Sequence, residues 1–160
     1  SNQVFAYFGS ADPKNYSQNF IHAFHQQNLD SIYNLKFVTS RQNPNLIKII
    51  HLSKQYDFEC IVDDNNIAKH MSESKFAIIA CGFTCYELAS LGVPAIYFAS
   101  SDIQRRVAKG LTKMGVGVFA ENGIDSDFKV LISQLEAIQS KNFLDFDALG
   151  VKRVAESMER

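Results

Sequence analysis

The sequence contains few cysteines and prolines and no tryptophan, and neither sign of charge prevails. Its 160 residues include 3 Cys and 3 Pro, and 16 Lys+Arg stand against 17 Asp+Glu for a net charge of −1. An odd, sparse cysteine count argues against a disulfide framework and favours a reducing, cytoplasmic location. The balanced charge argues against a strongly basic nucleic-acid-binding domain.

Long apolar runs are also missing. The longest are about six residues, whereas a membrane-spanning helix needs about 20, and no signal peptide is visible. Residues 1–2, Ser-Asn, are typical of an expression-tag remnant. A chain of this length and 46% hydrophobic content predicts one domain, which we assign to residues 3–140, followed by a connector and C-terminal helix over 141–160.

The apolar segments are of two kinds. Short, nearly continuous runs are typical of strands buried on both faces. Longer segments repeat with a helical period, as in Phe20, Ile21 and Phe24. The predicted strands cover residues 4–8, 35–38, 58–62, 76–80, 95–99 and 116–120. Their alternation with helices predicts an α/β fold: a single Rossmann-like, doubly wound domain of about six parallel strands with helices on both faces.

Several residues predict where helices begin and end. Asp12-Pro13 offers an N-cap and a first-turn proline, and Thr84–Glu87 has the spacing of a capping box. Ser101 or Asp102 can cap a later helix, and Gly92 with Pro94 ends an earlier one.

In open parallel sheets ligands bind beyond the carboxyl ends of the strands, so the strand-to-helix loops are the candidate site. Gly9 permits a close turn, Ser10 can donate a hydrogen bond, and Gly82 permits close backbone approach. The helices after these loops are expected to present free N–H groups that suit an anion. The G-x-G-x-x-G fingerprint of dinucleotide sites is absent.

Each of these features also has a purely structural interpretation. The loops can simply be capped turns, and Glu87 can be the acid of a capping box rather than a carboxylate that accepts hydrogen bonds from a ribose diol. No metal site or cofactor is predicted: Cys81 and Cys85 lack zinc-knuckle spacing, and the acidic loop at residues 63–66 lacks the EF-hand pattern.

Five motifs, in order along nearly the whole chain, resemble one family. Residues 8–15 resemble its "GGSDPKN" segment, 80–87 its "AGGSTSWE", 91–94 its "LGLP" and 150–154 its "GAERV", while Gln104 falls on the Gln of its "NQ" pair. The family comprises the sugar-nucleotide hydrolases of the pseudaminic acid pathway and their spore-coat polysaccharide relatives. Its members are similar in architecture to the GT-B glycosyltransferase that adds N-acetylglucosamine to lipid-linked muramyl peptide.

The resemblance implies a UDP-sugar-binding domain, the C-terminal half of a GT-B fold, in bacterial surface polysaccharide or nonulosonate biosynthesis. By position, the diphosphate would be surrounded by Gly9 and Ser10 in the first loop and by Gly82, Phe83 and Thr84 in the second. Glu87 would bind the ribose hydroxyls. The backbone of Ile61 and Val62 would meet the uracil edge, and Gln104 would touch the phosphate or sugar.

The chain also departs from the family. Cys81 replaces a Gly, Phe83 a Ser and Ile103 an Asn, which makes the pocket more apolar. The family's catalytic His belongs to an N-terminal "G-x-G-H" segment, which this chain lacks, so no catalytic residue is assigned. The expected partners are a UDP-sugar and the N-terminal GT-B domain.

Two alternatives remain at this point. One is a non-catalytic binding or assembly module with a degenerate nucleotide pocket, in which case the chain is expected to form a homodimer. The other is a receiver-type domain, since Asp63 and Asp64 end a strand, but Gly9 and Ser10 stand where its acidic pair belongs.

Overall fold

A six-stranded sheet organises the computed structural model, which describes residues 1–146. The strands are β1 Gln3–Tyr7, β2 Asn34–Thr39, β3 Glu59–Val62, β4 Phe76–Ala80, β5 Ala95–Phe98 and β6 Gly117–Phe119. They pair in the order β3-β2-β1-β4-β5-β6, and every pairing is parallel. The predicted fold class is confirmed, and each predicted strand is present within two residues of its expected bounds.

Helices cover both faces of this sheet. They are α1 Tyr16–Gln26, α2 Leu46–Gln55, α3 Ile67–Ser72, α4 Thr84–Ser90, α5 Asp102–Met114, α6 Phe128–Glu136 and α7 Lys141–Leu144. Short 3₁₀ turns lie at Leu29–Ser31 and Gly123–Asp125. Residues 141–144, expected to be a connector, thus include a helical turn. The predicted helix over 151–160 and the "GAERV"-like motif lie outside the described residues.

The sheet separates two cores of different composition. Alternate residues of β1 point to opposite faces, so Ala6 packs with α1, α2 and α6 while Phe5 packs with α3, α4 and α5. The first core is rich in aromatic rings, among them Phe8, Phe20 and Phe98. The second is mostly aliphatic and contains both Cys81 and Cys85. Both faces are therefore sealed, which leaves the two ends of the sheet for ligands.

Two predicted helix starts are wrong. Helix α1 begins at Tyr16, not Pro13, because Asp12 and Asn15 both adopt left-handed backbone conformations that interrupt the helix. The capping box at Thr84 does not form either. Phe83 precedes the helix with φ −63° and ψ −29°, already helical, so Thr84 lies inside the first turn instead of in front of it.

Other predicted helix boundaries hold. The Ser101 hydroxyl accepts a hydrogen bond from the Gln104 amide at 3.2 Å and caps α5. Gly92 adopts φ 75° just beyond the end of α4, a conformation that favours glycine. Across the described residues, no helix is long and apolar enough to traverse a bilayer.

Candidate functional site

A cavity of about 380 Å³ lies where the strand order reverses. The chain runs outward from β1 through β2 to β3, then returns to place β4 on the other side of β1. The carboxyl ends of β1 and β4 diverge into loops on opposite faces, which is where open α/β sheets bind ligands. We call this space the switch-point cavity. Its lining consists of residues 7–13, Ala80, Gly82, Phe83, Thr84, Ser100 and Gln104.

The loop between β1 and α1 forms one wall. Gly9 adopts φ 86°, the left-handed region in which a side chain would be strained. This turn brings Ser10 Oγ to 3.3 Å from the hydroxyl of Tyr7, the last residue of β1. The expected close turn at Gly9 is thus present, and it presents the Ser10 hydroxyl to the cavity.

Asp12 fixes the same loop from inside. Its side chain is buried, and its two carboxylate oxygens accept hydrogen bonds from the amides of Tyr16 and Ser17, both at 2.9 Å. The N-terminus of α1 therefore already carries a negative charge from the protein itself. The expectation that α1 offers free amides to an anion is wrong for this reason.

The loop between β4 and α4 forms the opposite wall and is built differently. The Gly82 amide donates to the Ala80 carbonyl at 2.8 Å, and the Cys85 thiol donates to the Gly82 carbonyl at 2.6 Å. No side chain of this loop caps α4, but its opening amides are partly paired with loop carbonyls: the Cys85 amide donates to the Gly82 carbonyl at 3.3 Å and the Tyr86 amide to the Phe83 carbonyl at 3.1 Å. The Thr84 hydroxyl is the polar side-chain group that this wall offers.

Two thiols lie directly beneath this loop. Cys81 and Cys85 are both buried, and a hydrogen bond between them, together with burial, raises the pKa of the Cys81 thiol. The group therefore stays protonated at neutral pH and packs as a small apolar side chain. Cys81 therefore packs beneath the loop, and Cys85 supports it through the hydrogen bond to the Gly82 carbonyl.

Gln104 contributes from the loop between β5 and α5. Its Oε1 accepts hydrogen bonds from both the amide and the hydroxyl of Ser100, each at 2.8 Å. Because an amide oxygen held this way fixes the side chain, the Nε2 donors are oriented by the protein. Gln104 thus offers the cavity hydrogen-bond donors whose position is fixed by contacts with the protein.

The cavity is close to neutral. Among its lining residues Asp12 alone is ionised, and both of its oxygens are occupied by amides. Nearby, Tyr16 donates its hydroxyl proton to the Ala99 carbonyl at 2.8 Å, and burial raises its pKa. The arrangement offers hydroxyls, amides and backbone N–H groups, so it can bind oxygen-rich groups, but its lining holds no free acid or base.

Six of the nine predicted site residues line this cavity: Gly9, Ser10, Gly82, Phe83, Thr84 and Gln104. The other three do not. Glu87 is exposed on the first turn of α4, and Ile61 and Val62 end β3 at the edge of the sheet, two strands from β1.

Sequence reasoning missed two residues of the site. Tyr7 falls inside the predicted strand over residues 4–8, and the end of that strand brings its hydroxyl to Ser10. Ser100 immediately precedes the predicted cap of α5. Its value as the partner of Gln104 depends on the four-residue spacing that brings the two together.

Metal binding finds no support in the described part of the chain, where His, Cys, Asp and Glu form no group of three. Asp64, in the acidic loop, instead accepts from the Asn66 amide at 2.8 Å and lies 2.6 Å from His70 Nδ1. The loop is thus held by its own side chains, but none of them caps α3, so the expectation that this loop caps a helix is wrong.

Comparison of the fold with solved structures gives many matches, whereas no protein-family model and no curated protein sequence matches the chain. A spinosyn rhamnosyltransferase complexed with thymidine diphosphate aligns with a TM-score of 0.70 at 11% identity, over 100% of this chain and 45% of that one. A glycosyltransferase from Streptomyces nogalater aligns with a TM-score of 0.57 at 16% identity, over 99% of this chain and 40% of that one.

A Medicago truncatula protein complexed with UDP-glucose aligns with a TM-score of 0.54 at 19% identity, over 99% of this chain and 35% of that one. The chain thus spans less than half the length of these neighbours. At such low identity the likeness is one of fold: this is a Rossmann-like α/β domain of the kind found as the C-terminal half of GT-B proteins.

Proposed function

We propose that this chain is the nucleotide-sugar-binding domain of a GT-B-type enzyme, with a UDP-sugar as its ligand. The observation that carries the proposal is the convergence of three separate strand-to-helix loops on one cavity at the point of strand reversal. Two neighbours of the same fold are described in complex with thymidine diphosphate and with UDP-glucose, which supports a nucleotide ligand here.

The diphosphate would lie against the β4–α4 side of the cavity. That wall has the Thr84 hydroxyl and no capping side chain at the start of α4, whereas the start of α1 is already neutralised by Asp12. Ser10 from the facing loop and the Nε2 donors of Gln104 would complete the contacts. A helix terminus contributes about 0.3–1 kcal/mol to such an anion when exposed, so the hydroxyl and amide donors are needed as well.

The nucleoside would extend from there toward β3. Ile61 packs against the same core cluster as Cys85 and Leu88, so its side chain lies on the face of the sheet that α4 covers. At the usual strand spacing of about 4.8 Å, two strands separate the base position from the cavity by roughly 10 Å. Glu87, exposed on α4, would meet the ribose between them, with the backbone of Ile61 and Val62 at the uracil edge.

The chemistry of the whole protein would need residues beyond this cavity. Its lining provides donors that can stabilise charge on a departing nucleoside diphosphate, but no group that can activate water or an acceptor. We therefore propose that the domain works with an N-terminal GT-B domain. The motif resemblance favours a cytoplasmic UDP-sugar hydrolase or glycosyltransferase of bacterial surface polysaccharide biosynthesis.

Calorimetric titration with UDP and UDP-N-acetylhexosamines tests the proposal. We expect saturable binding that Glu87→Ala weakens by about tenfold, because a carboxylate accepting two hydroxyl hydrogen bonds contributes roughly 1.5–3 kcal/mol. Glu136→Ala, at an exposed glutamate that ends α6 far from the cavity, is the matched control and should leave affinity unchanged. No heat at millimolar nucleotide would refute the proposal.

A second function, an assembly module with a degenerate pocket, is favoured by one observation. Phe83, which lines the cavity, is 88% exposed, and Ile103, in the first turn of α5, is 68% exposed. Apolar surface of this kind is typical of protein contacts. Sedimentation with and without UDP distinguishes the two: a dimer indifferent to nucleotide supports the module, whereas a monomer that binds UDP supports the first proposal.

A further inference from the structure

A second cavity opens at the opposite end of the sheet. Its lining includes Asn34 and Glu59, the residues that begin β2 and β3, so it lies at the amino ends of the strands. Its volume is about 380 Å³, the same as that of the switch-point cavity. We call it the amino-end cavity. Because the whole sheet separates the two, a ligand here would not be part of the nucleotide site.

The floor of the amino-end cavity is apolar. Ile21 and Phe24 of α1 and Leu35 of β2 form it, and all three side chains belong to the aromatic-rich core. Phe58, just before β3, is partly buried against the same core. An apolar floor under a polar rim is the usual construction of a small-molecule site.

The rim holds one imidazole in a fixed position. His25 Nδ1 lies 2.5 Å from Asp30 Oδ2, and the ring stacks on Tyr56 with centroids 4.2 Å apart and planes 20° from parallel. The Tyr56 hydroxyl is in turn 3.2 Å from His22 Nδ1. Since Asp30 occupies Nδ1, Nε2 is the nitrogen left to meet a ligand, and the stacked pair forms a flat aromatic wall.

The charges around the rim are predominantly negative. Asp30, Asp57 and Glu59 supply three carboxylates. Asp30 is paired with His25 and Glu59 lies 3.6 Å from the Lys36 ammonium, so within the described residues Asp57 is the rim carboxylate without an ion pair. Helices α1 and α2 also end at this side of the sheet, and their carbonyl ends add partial negative charge. A positively charged group therefore complements this rim, whereas an anion is repelled.

We propose that the amino-end cavity is a second ligand site, which takes a small organic cation: a protonated amine attached to an apolar or aromatic body. The apolar part lies on Phe24 and Leu35, and the ammonium faces the carboxylates of Asp57 and Glu59. The inference does not depend on the proposed nucleotide function, because the residues of the two cavities do not overlap.

Titration with phenethylamine, followed by amide chemical shifts in NMR spectra, tests the site. We expect saturable shifts clustered at the amino-end cavity, and none there with phenylacetate, which has the same ring and the opposite charge. Asp57→Asn and Glu59→Gln should each weaken phenethylamine binding by about threefold, the usual size of one partly exposed charge contact. Asp125→Asn, at an exposed carboxylate outside this cavity, should leave it unchanged.

Three results would overturn the proposal: equal shifts with phenylacetate, shifts that never saturate, or affinities unaffected by both cavity variants. Titration of UDP into the same sample keeps the two sites apart. Shifts at the amino-end cavity with phenethylamine and none anywhere with UDP would support this site while rejecting the nucleotide function.

Discussion

The two loops that face each other across the switch-point cavity are held in opposite ways. The β1–α1 loop is fixed from within, by the left-handed turn at Gly9 and by the buried Asp12 carboxylate on the first amides of α1. The β4–α4 loop has no capping side chain and rests on the Cys85 thiol beneath Gly82, while Phe83 points into solvent. The start of α1 is thus held by a buried carboxylate, whereas the start of α4 is held by backbone carbonyls of its own loop and by a thiol.

This difference separates stability from binding. The charge-assisted hydrogen bonds of Asp12 contribute to folding and place a negative charge at the start of α1, whereas the neutral hydrogen bonds of the second loop contribute less to folding. Substitutions in the two loops should therefore have different consequences.

The largest effect should come from Asp12→Ala. The change removes two charge-assisted hydrogen bonds from a side chain that is 3% exposed, so we expect the free energy of unfolding to fall by about 2 kcal/mol. Urea denaturation measures it. Asp127→Ala is the matched control, since Asp127 caps α6 at an exposed site and should cost about 1 kcal/mol or less. If both variants lost the same free energy of unfolding, the buried cap at Asp12 would be no more stabilising than the exposed cap at Asp127.

Gly9→Ala and Gly82→Ala form the second test. Gly9 has φ 86°, so an added Cβ strains the backbone and should cost about 1 kcal/mol. Gly82 has no such φ, and among the described residues a Cβ there meets no atom within 4 Å beyond its own chain neighbours, so the free energy of unfolding should change by less than about 0.5 kcal/mol. The affinity for UDP should change in both variants, because both glycines line the switch-point cavity. Stability losses of the same size would contradict the assignment of strain to Gly9 alone.

Alkaline pH provides a smaller effect confined to the second loop. Burial, with the nearby thiols, raises the pKa of Tyr86 on α4 to about 12 from its ordinary 10.0. The folded state therefore keeps this proton where the unfolded state loses it, and its contribution to stability declines as pH rises from about 10 toward 12. In Tyr86→Phe the decline measured by denaturation should be shallower. A slope identical to that of the unsubstituted protein would count against this assignment.

The smallest stability effect should come from Phe83→Ser. Because the ring is 88% exposed, the free energy of unfolding should change by less than about 0.5 kcal/mol. The new hydroxyl would stand at the start of α4, where it can donate to the ligand. UDP affinity should therefore rise by about fivefold, the usual contribution of one neutral hydrogen bond. Val130→Ser, at an exposed apolar residue of α6, is the control and should leave UDP affinity as it was. Weaker UDP binding in Phe83→Ser would show that the ring itself contacts the ligand.

The sequence predicted the sheet well because strands buried on both faces leave an unmistakable apolar run, as in Phe76–Ala80. Helix starts were less predictable. Asp12 does cap α1, but four residues ahead of it, through a turn that only the left-handed Asp12 and Asn15 create. The amino-end cavity gave no local signal, since His25 and Tyr56 are distant in sequence and meet only through packing of α1 beside α2.

The order of the strands also bears on how the chain acquires its shape. The first strand pairs on one side with β2, which follows soon after it, and on the other with β4, which is made only after residues 8–75 have been synthesised. Until then its second edge stays open, and closing a long intervening segment is entropically slow. The pairing of β1 with β4 is therefore expected to form late in folding, and the residues of the switch-point cavity come together only when these two strands pair.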